Sequence, residues 1–168
     1  MSNPVYFGLG SNLGDREENL ASAITALGTH PEIHDLVSAS FYQTQPVGNP
    51  DQPDFINTVI RYEVDCDPVQ LLDITQRTET MLGRPRDHQS DAPRTIDIDI
   101  LVFDDLIIST AELKIPHPRM AARRFVLVPL AEIAPDLVVP GWNQTVTDLL
   151  RLCPDKSRVV KYHLMKNA

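Results

Sequence analysis

Asp97 and Asp99 stand two apart in the run Pro93-Arg94-Thr95-Ile96-Asp97-Ile98-Asp99-Ile100-Leu101-Val102-Phe103. On a β-strand that spacing turns both carboxylates to one side, with Cα atoms roughly 6.5 to 7 Å apart. Two carboxylates so placed can converge on one divalent cation. Ile96, Ile98 and Ile100 fall on the opposite side as a core face. Taken alone, the pattern also describes an amphipathic strand whose acidic face is simply solvated, so the surroundings must decide. Seven of the fifteen lysines and arginines (Arg84, Arg86, Arg94, Lys114, Arg119, Arg123, Arg124) bracket this strand, although the chain carries a net charge of −8. Such a balance disfavours long-range attraction to nucleic acid or to an anionic membrane, so any phosphate site must be built locally. Paired carboxylates, the guanidiniums of Arg84, Arg86, Arg94 and Arg123, and His117 together make a divalent-metal and polyphosphate site, in which Mg²⁺ bridges anionic oxygens and arginines clamp phosphates. Neither a G-x-x-x-x-G-K-[ST] loop nor a protein-kinase signature occurs, so side chains and irregular loops must hold the nucleotide.

The elements that position these groups follow from periodicity. A chain of 168 residues with 42% apolar content predicts a single domain over 1–168. Val5 to Asn12 reads as a strand ending in a glycine turn. A helix follows, begun near Asp15, carried by Leu20, Ala23, Ile24 and Leu27, and stopped at Gly28. Ile33 to Tyr42 is a β-prone run, Thr44 to Asp54 a Pro- and Gly-rich hairpin loop, and Phe55 to Val64 an alternating strand. Asp67-Pro68 starts a second helix that ends at Gly83, with Gln76 and Glu79 on one face of it. Arg84 to Ala92 is a polar loop that delivers Arg94 to the acidic strand. Leu106 to Ile115 predicts a small hairpin, Phe125 to Ile133 and Val146 to Leu152 short helices, and the tail beyond carries no pattern. The order β-α-β-β-α-β is the ferredoxin-like α+β pattern: an antiparallel sheet with helices on one face, plus an extra C-terminal hairpin and short helices. Cys66 and Cys153 lack metal-ligand spacing, and there is neither a long apolar run nor a basic-then-apolar leader. The expectation is a cytoplasmic monomer with no membrane or nucleic-acid partner.

The acidic run is similar to the P-R-T-[LI]-D-[LI]-D-[IL] signature of the 6-hydroxymethyl-7,8-dihydropterin pyrophosphokinase family of folate biosynthesis. Four further stretches resemble that family in order: Gly10-Ser11-Asn12-Leu13, Asp51 to Asn57, Gly83-Arg84-x-Arg86, and Pro116-His117 followed by Arg123-x-Phe125. The resemblance implies transfer of the β,γ-pyrophosphoryl group of ATP to the hydroxymethyl oxygen of the dihydropterin, with release of AMP. It implies Asp97 and Asp99 as ligands of two Mg²⁺ ions, and Arg84, Arg86 and Arg94 beside them in catalysis. Gln76, Glu79, Ile100, His117 and Arg123 would join those arginines around ATP. Gly10, Thr44, Gln45, Val47 and Asn57 would surround the pterin, which would lie between the rings of Phe55 and Phe125. Asp91 and Pro118 stand where the family often carries Trp and Tyr, so closure of the loop from Gly83 to Ala92 over the substrates is expected to rest on Arg-phosphate contacts. The competing readings are a metal-dependent phosphohydrolase using Asp97 and Asp99, and a non-catalytic ligand-binding module.

Overall fold

The computed structural model describes residues 2–46, 51–83 and 94–163. Its helices begin where the sequence supplies caps. Asp15 accepts the Glu18 N–H at 3.1 Å to open α1 (Arg16–Gly28), and Glu17 and Glu18 in the first turn suit the positive end of the helix dipole. Asp67 and Gln70 form a reciprocal capping box at α2 (Pro68–Met81), with Pro68 filling a first-turn position that needs no N–H. Leu20, Ala23 and Leu27 of α1 and Leu71, Thr75 and Thr78 of α2 recur at helical spacing and are buried.

The sheet is antiparallel and runs β5 (Asp97–Phe103), β1 (Asn3–Ser11), β4 (Phe55–Val64), β3 (Tyr42–Thr44), β8 (Val159–Lys161), with β2 (Ile33–Ser38) also paired to β4. Val5, Phe7 and Leu9, Ile56 and Ile60, and Ile98 and Ile100 alternate onto one face, where they pack with the buried residues of α1 and α2 as the first core. The opposite face is covered as well. Val59, Leu101 and Val102 pack there with Met120 of a 3₁₀ turn (Met120–Ala122), with Val126, Leu127 and Leu130 of α3 (Arg124–Ile133), and with Val146 and Leu149 of α4 (Val146–Leu152). The short helices predicted after the acidic strand thus build a second core and wall one end of the sheet. A bulge lets β5 serve both cores: Tyr6 pairs with Val102 but Phe7 with Ile100, so Leu101 is the extra residue and the alternation shifts after it. The predicted hairpin is β6 (Ile108–Ser109) with β7 (Lys114–Ile115).

Three departures from the sequence pattern have physical causes. The β-prone run divides into β2 and β3 at residues 39–41, where the Ser40 N–H and hydroxyl bond the Glu132 carboxylate of α3 instead of a neighbouring strand, and β2 itself is bulged where Asp35 adopts φ 59° and the register against β4 shifts between His34 and Val37. β8 was invisible because three residues carry no readable alternation, yet it pairs along β3, Thr44 opposite Val159. Gly28 does not stop α1 by a left-handed turn; it is the last helical residue and the cap is Thr29. A Cβ at Gly28 would lie 2.8 Å from Tyr62 Oη, whose hydroxyl donates to the Ile24 carbonyl at 2.6 Å. Among the described residues, no helix is long and apolar enough to cross a membrane.

Glycine at 28 is therefore a matter of room. Gly28→Ala gains ~1 kcal/mol of helix propensity but overpacks against Tyr62 at a cost of ~1–3 kcal/mol. Thermal unfolding should show a Tm lowered by on the order of 4 °C. The same substitution made in a Tyr62→Phe background should raise Tm instead, and a loss of equal size in both backgrounds would contradict the steric account.

Candidate active site

Gly8 and Gly10 offer no side chains on the second face of β1, and the strand register sets functional groups on both flanks of that bare strip. Gly10 pairs with Asn57 of β4 on one side and with Asp97 of β5 on the other, while Gly8 pairs with Asp99. Above the strip lies a cleft of about 550 Å³. Gly10, Thr44, Gln45, Phe55, Asn57, Arg94, Asp97, Asp99, His117, Arg123 and Phe125 all line it, so eleven of the residues singled out in the sequence share one cavity.

Each is held by a traceable contact. Asn57, 7% exposed, donates from Nδ2 to Thr44 Oγ1 across the β3–β4 pair. Its amide oxygen lies over Gly10, where a Cβ would come within 2.4 Å of it. Only glycine at position 10 leaves Asn57 where it is. Phe55 and Phe125 are half-buried and line the cleft, Phe125 also packing against the second core, and each ring carries a guanidinium: Arg94 at 5.8 Å from the Phe55 centroid and Arg123 at 5.6 Å from the Phe125 centroid. Arg94 Nη1 also meets Asp97 Oδ2 at 3.2 Å, which offsets part of the repulsion between the two carboxylates.

Arg94 is placed by a residue that the spacing argument did not single out. Asn12, 1% exposed, accepts the Arg94 N–H at Oδ1 (2.8 Å), donates its own N–H to the Arg94 carbonyl (3.1 Å), and donates from Nδ2 to Gln52 Oε1 (2.9 Å) and to the Pro53 carbonyl (3.3 Å). One buried amide thus ties the turn after β1 to the loop before β4 and to the entry of β5. Gln52, Lys114 and Arg119 also line the cleft and were not assigned from sequence. A buried amide between polar loops has no periodic signal, and a lone lysine in a hairpin looks like solvated surface.

Other residues lie elsewhere. Gln76 is exposed on α2, and neither it nor Glu79 lines the cleft; Glu79 Oε2 accepts the Ile98 N–H at 2.8 Å and so covers the open edge of β5. The Ile100 side chain is 5% exposed and packs into the first core, so only its backbone, whose N–H shares the edge of Ile98 by register, could meet a ligand. Val47, Arg84 and Arg86, with the loop expected to close over the substrates and Asp91 within it, lie outside the described residues.

His117 is neutral at ordinary pH. Burial, then the Arg123 and Arg119 guanidiniums, push its imidazole down to about 4 against an opposing pull from Asp97. Its Nδ1 accepts the Arg119 N–H at 3.2 Å, leaving Nε2 as the N–H donor.

A ferredoxin-like sheet that gathers paired carboxylates, guanidiniums and two half-exposed aromatic rings in one cleft suits an enzyme handling a polyphosphate beside a flat heterocycle. The model of the 7,8-dihydro-6-hydroxymethylpterin-pyrophosphokinase family matches residues 6–135, and the chain belongs to that family. It is 41% identical over 155 residues to the 2-amino-4-hydroxy-6-hydroxymethyldihydropteridine pyrophosphokinase of Haemophilus influenzae, covering 92% of this chain and 96% of that one. To the protein of the same name from Bacillus subtilis it is 45% identical over 133 residues, 79% of either chain. Among solved structures, the fold matches a Plasmodium falciparum HPPK-DHPS chain with TM-score 0.72 at 14% identity; the match covers 90% of this chain and 44% of that longer one.

Because the folded His117 pKa is depressed, the unfolded chain binds the extra proton between pH 6.5 and 4, so stability falls as pH drops through that window. His117→Asn should flatten this part of the stability profile. In NMR titration of the free protein the His117 ring should titrate near 4, and added inorganic pyrophosphate should move it upward. A ring titrating near 6.5 without ligand would contradict the electrostatics described.

Proposed function

We infer that this chain transfers pyrophosphate from ATP to the hydroxymethyl group of 6-hydroxymethyl-7,8-dihydropterin, giving AMP and the pterin diphosphate, a step of folate biosynthesis. The family and the names of its relatives support that reaction. The observation that carries the residue roles is the register of β1, which sets an amide reader and a carboxylate pair on either side of one glycine. The hydroxymethyl oxygen attacks the β-phosphorus of ATP and gives up its proton to water, the bond from that phosphorus to the oxygen bridging the α-phosphate breaks, and AMP leaves with the electron pair.

Asp97 and Asp99 fit a hard divalent cation. Both are half-exposed in the cleft, both offer only oxygen, and the bare strip of Gly8 and Gly10 beside them leaves space for phosphate or water to complete the coordination. They would hold Mg²⁺, two ions with ATP, and the metal would neutralise and align phosphate oxygens. The protein's own cations do the rest: Arg94 and Arg123, with Lys114 and Arg119 nearby, bind the phosphates, and neutral His117 donates from Nε2 to an anionic oxygen. The pterin stacks on Phe55 and Phe125, and Asn57 presents its carbonyl oxygen and its remaining N–H to the fused amide edge. Gln76, Glu79 and the Ile100 backbone serve the nucleotide at the β5 edge, and Arg84 and Arg86 serve the transferred phosphates in catalysis. The described lining of the cleft comes from one chain, and we propose a monomer that works in the cytoplasm.

With ATP, Mg²⁺ and the reduced pterin, AMP should appear in step with pterin diphosphate. Asp97→Asn and Asp99→Asn should each lower turnover about 100-fold or more while leaving the apo Tm nearly unchanged. ADP as the nucleotide product, or equal turnover without pterin, would overturn the reading.

A further inference from the structure

The first turn of α3 carries Phe125 and follows directly on Arg123, yet it is poorly secured by its own sequence. Arg123 at the N-cap makes no side-chain cap. Pro129, inside the helix, has no N–H to give to the carbonyl four residues earlier, which is that of Phe125. The missing anchor comes from another part of the chain. Asp155 Oδ2 accepts the Arg124 N–H at 3.0 Å, and its Oδ1 accepts the Ser157 N–H at 2.9 Å. The segment bearing Asp155 is itself fastened on both sides. Cys153 before it is buried in the second core, and β8 after it pairs with β3, placing Val159 opposite Thr44, the partner of Asn57.

We propose that Asp155 is a positioning residue for the pterin slot: the C-terminal segment caps α3 from outside and sets the distance of the Phe125 ring from the Thr44–Asn57 side. The carboxylate supplies the acceptor that the first turn lacks, at the helix end where a negative charge is favoured. Its grip on β3 through β8 makes the two walls of the slot one unit. The inference rests on the functional reading above, because the pterin is the ligand that Phe125 would meet. Its surroundings are consistent with this: against burial, which raises the Asp155 pKa, the Ser157 hydroxyl and N–H, then the Arg124 N–H and guanidinium, bring it below the ordinary value.

The test compares Asp155→Ala, Asp155→Asn and Phe125→Ala, alone and with the Ala changes combined. Asp155→Ala should raise the KM for pterin about 10-fold while the KM for ATP changes far less, and Asp155→Asn, which keeps one acceptor, should fall between. If Asp155 acts through Phe125, adding Asp155→Ala to Phe125→Ala should raise the pterin KM no further. A merely structural role predicts instead that the effects add, or that both KM values and Tm worsen together, and either result would overturn the proposal. Hydrogen exchange of the amides of Val126 to Val128 in the free protein gives a readout without substrate. It should quicken in Asp155→Ala, and unchanged exchange would also refute the cap. A wild-type protein that formed no AMP would sink the assigned reaction but leave that exchange comparison readable.

Discussion

Everything in the cleft depends on β1 being paired on both sides in one register. Antiparallel pairing puts directly opposed side chains on the same face, so fixing Gly10 against both Asn57 and Asp97 places an amide and a carboxylate on opposite flanks of a position with no side chain. A slip of one residue would turn Asp97 and Asp99 into the core and Ile98 and Ile100 into the cleft. Burial of Val5, Phe7 and Leu9 beneath the same strand makes that slip costly, since it would also expose the first core. The chemistry of the site is in this sense a by-product of the hydrophobic pattern on the hidden face.

Register alone does not place Arg94 or the aromatic rings, and here the structure relies on hydrogen-bonded buried polar groups. Asn12 uses its backbone N–H, its amide oxygen and its amide nitrogen to join three loops, and Thr44 fixes Asn57 by a single hydrogen bond. Such groups are expensive to bury unless satisfied, and once satisfied they admit few alternative loop arrangements. On the α3 side, Glu132 accepts from the Tyr42 hydroxyl and from both the N–H and the hydroxyl of Ser40, holding the helix to the segment that leads into β3. Two different polar clamps therefore border the proposed pterin slot.

How much of this the sequence disclosed follows from the range of the forces involved. Alternation in Ile96 to Ile100 and the caps at Asp15 and Asp67 are local signals, and the strand face and both main helices were read from them. The family resemblance then named residues that the fold gathers into one cleft, Phe55 and Phe125 included, although aromatic residues in isolation read as core. What stayed hidden was non-local or too short to show a period: the division of the Ile33 to Tyr42 run at residues 39–41, β8, the bulge at Leu101, and the bridging of Asn12 to Gln52. Gly28 reads as a conformational stop because glycine after a helix usually is one, whereas the cause is the Tyr62 hydroxyl, distant in sequence but 2.8 Å from where a Cβ would sit.

The central claim is that a side-chain-free position 10 keeps Asn57 aimed at the pterin. Titrating Gly10→Ala with the pterin and, separately, with ATP and Mg²⁺ tests it most directly, because the added Cβ would fall 2.4 Å from the Asn57 amide oxygen and must displace it. The account predicts pterin affinity lowered about 10-fold or more, as expected when a buried hydrogen-bonding edge is left mispaired, with ATP affinity nearly unchanged. Pterin affinity equal to that of the unaltered protein would contradict it.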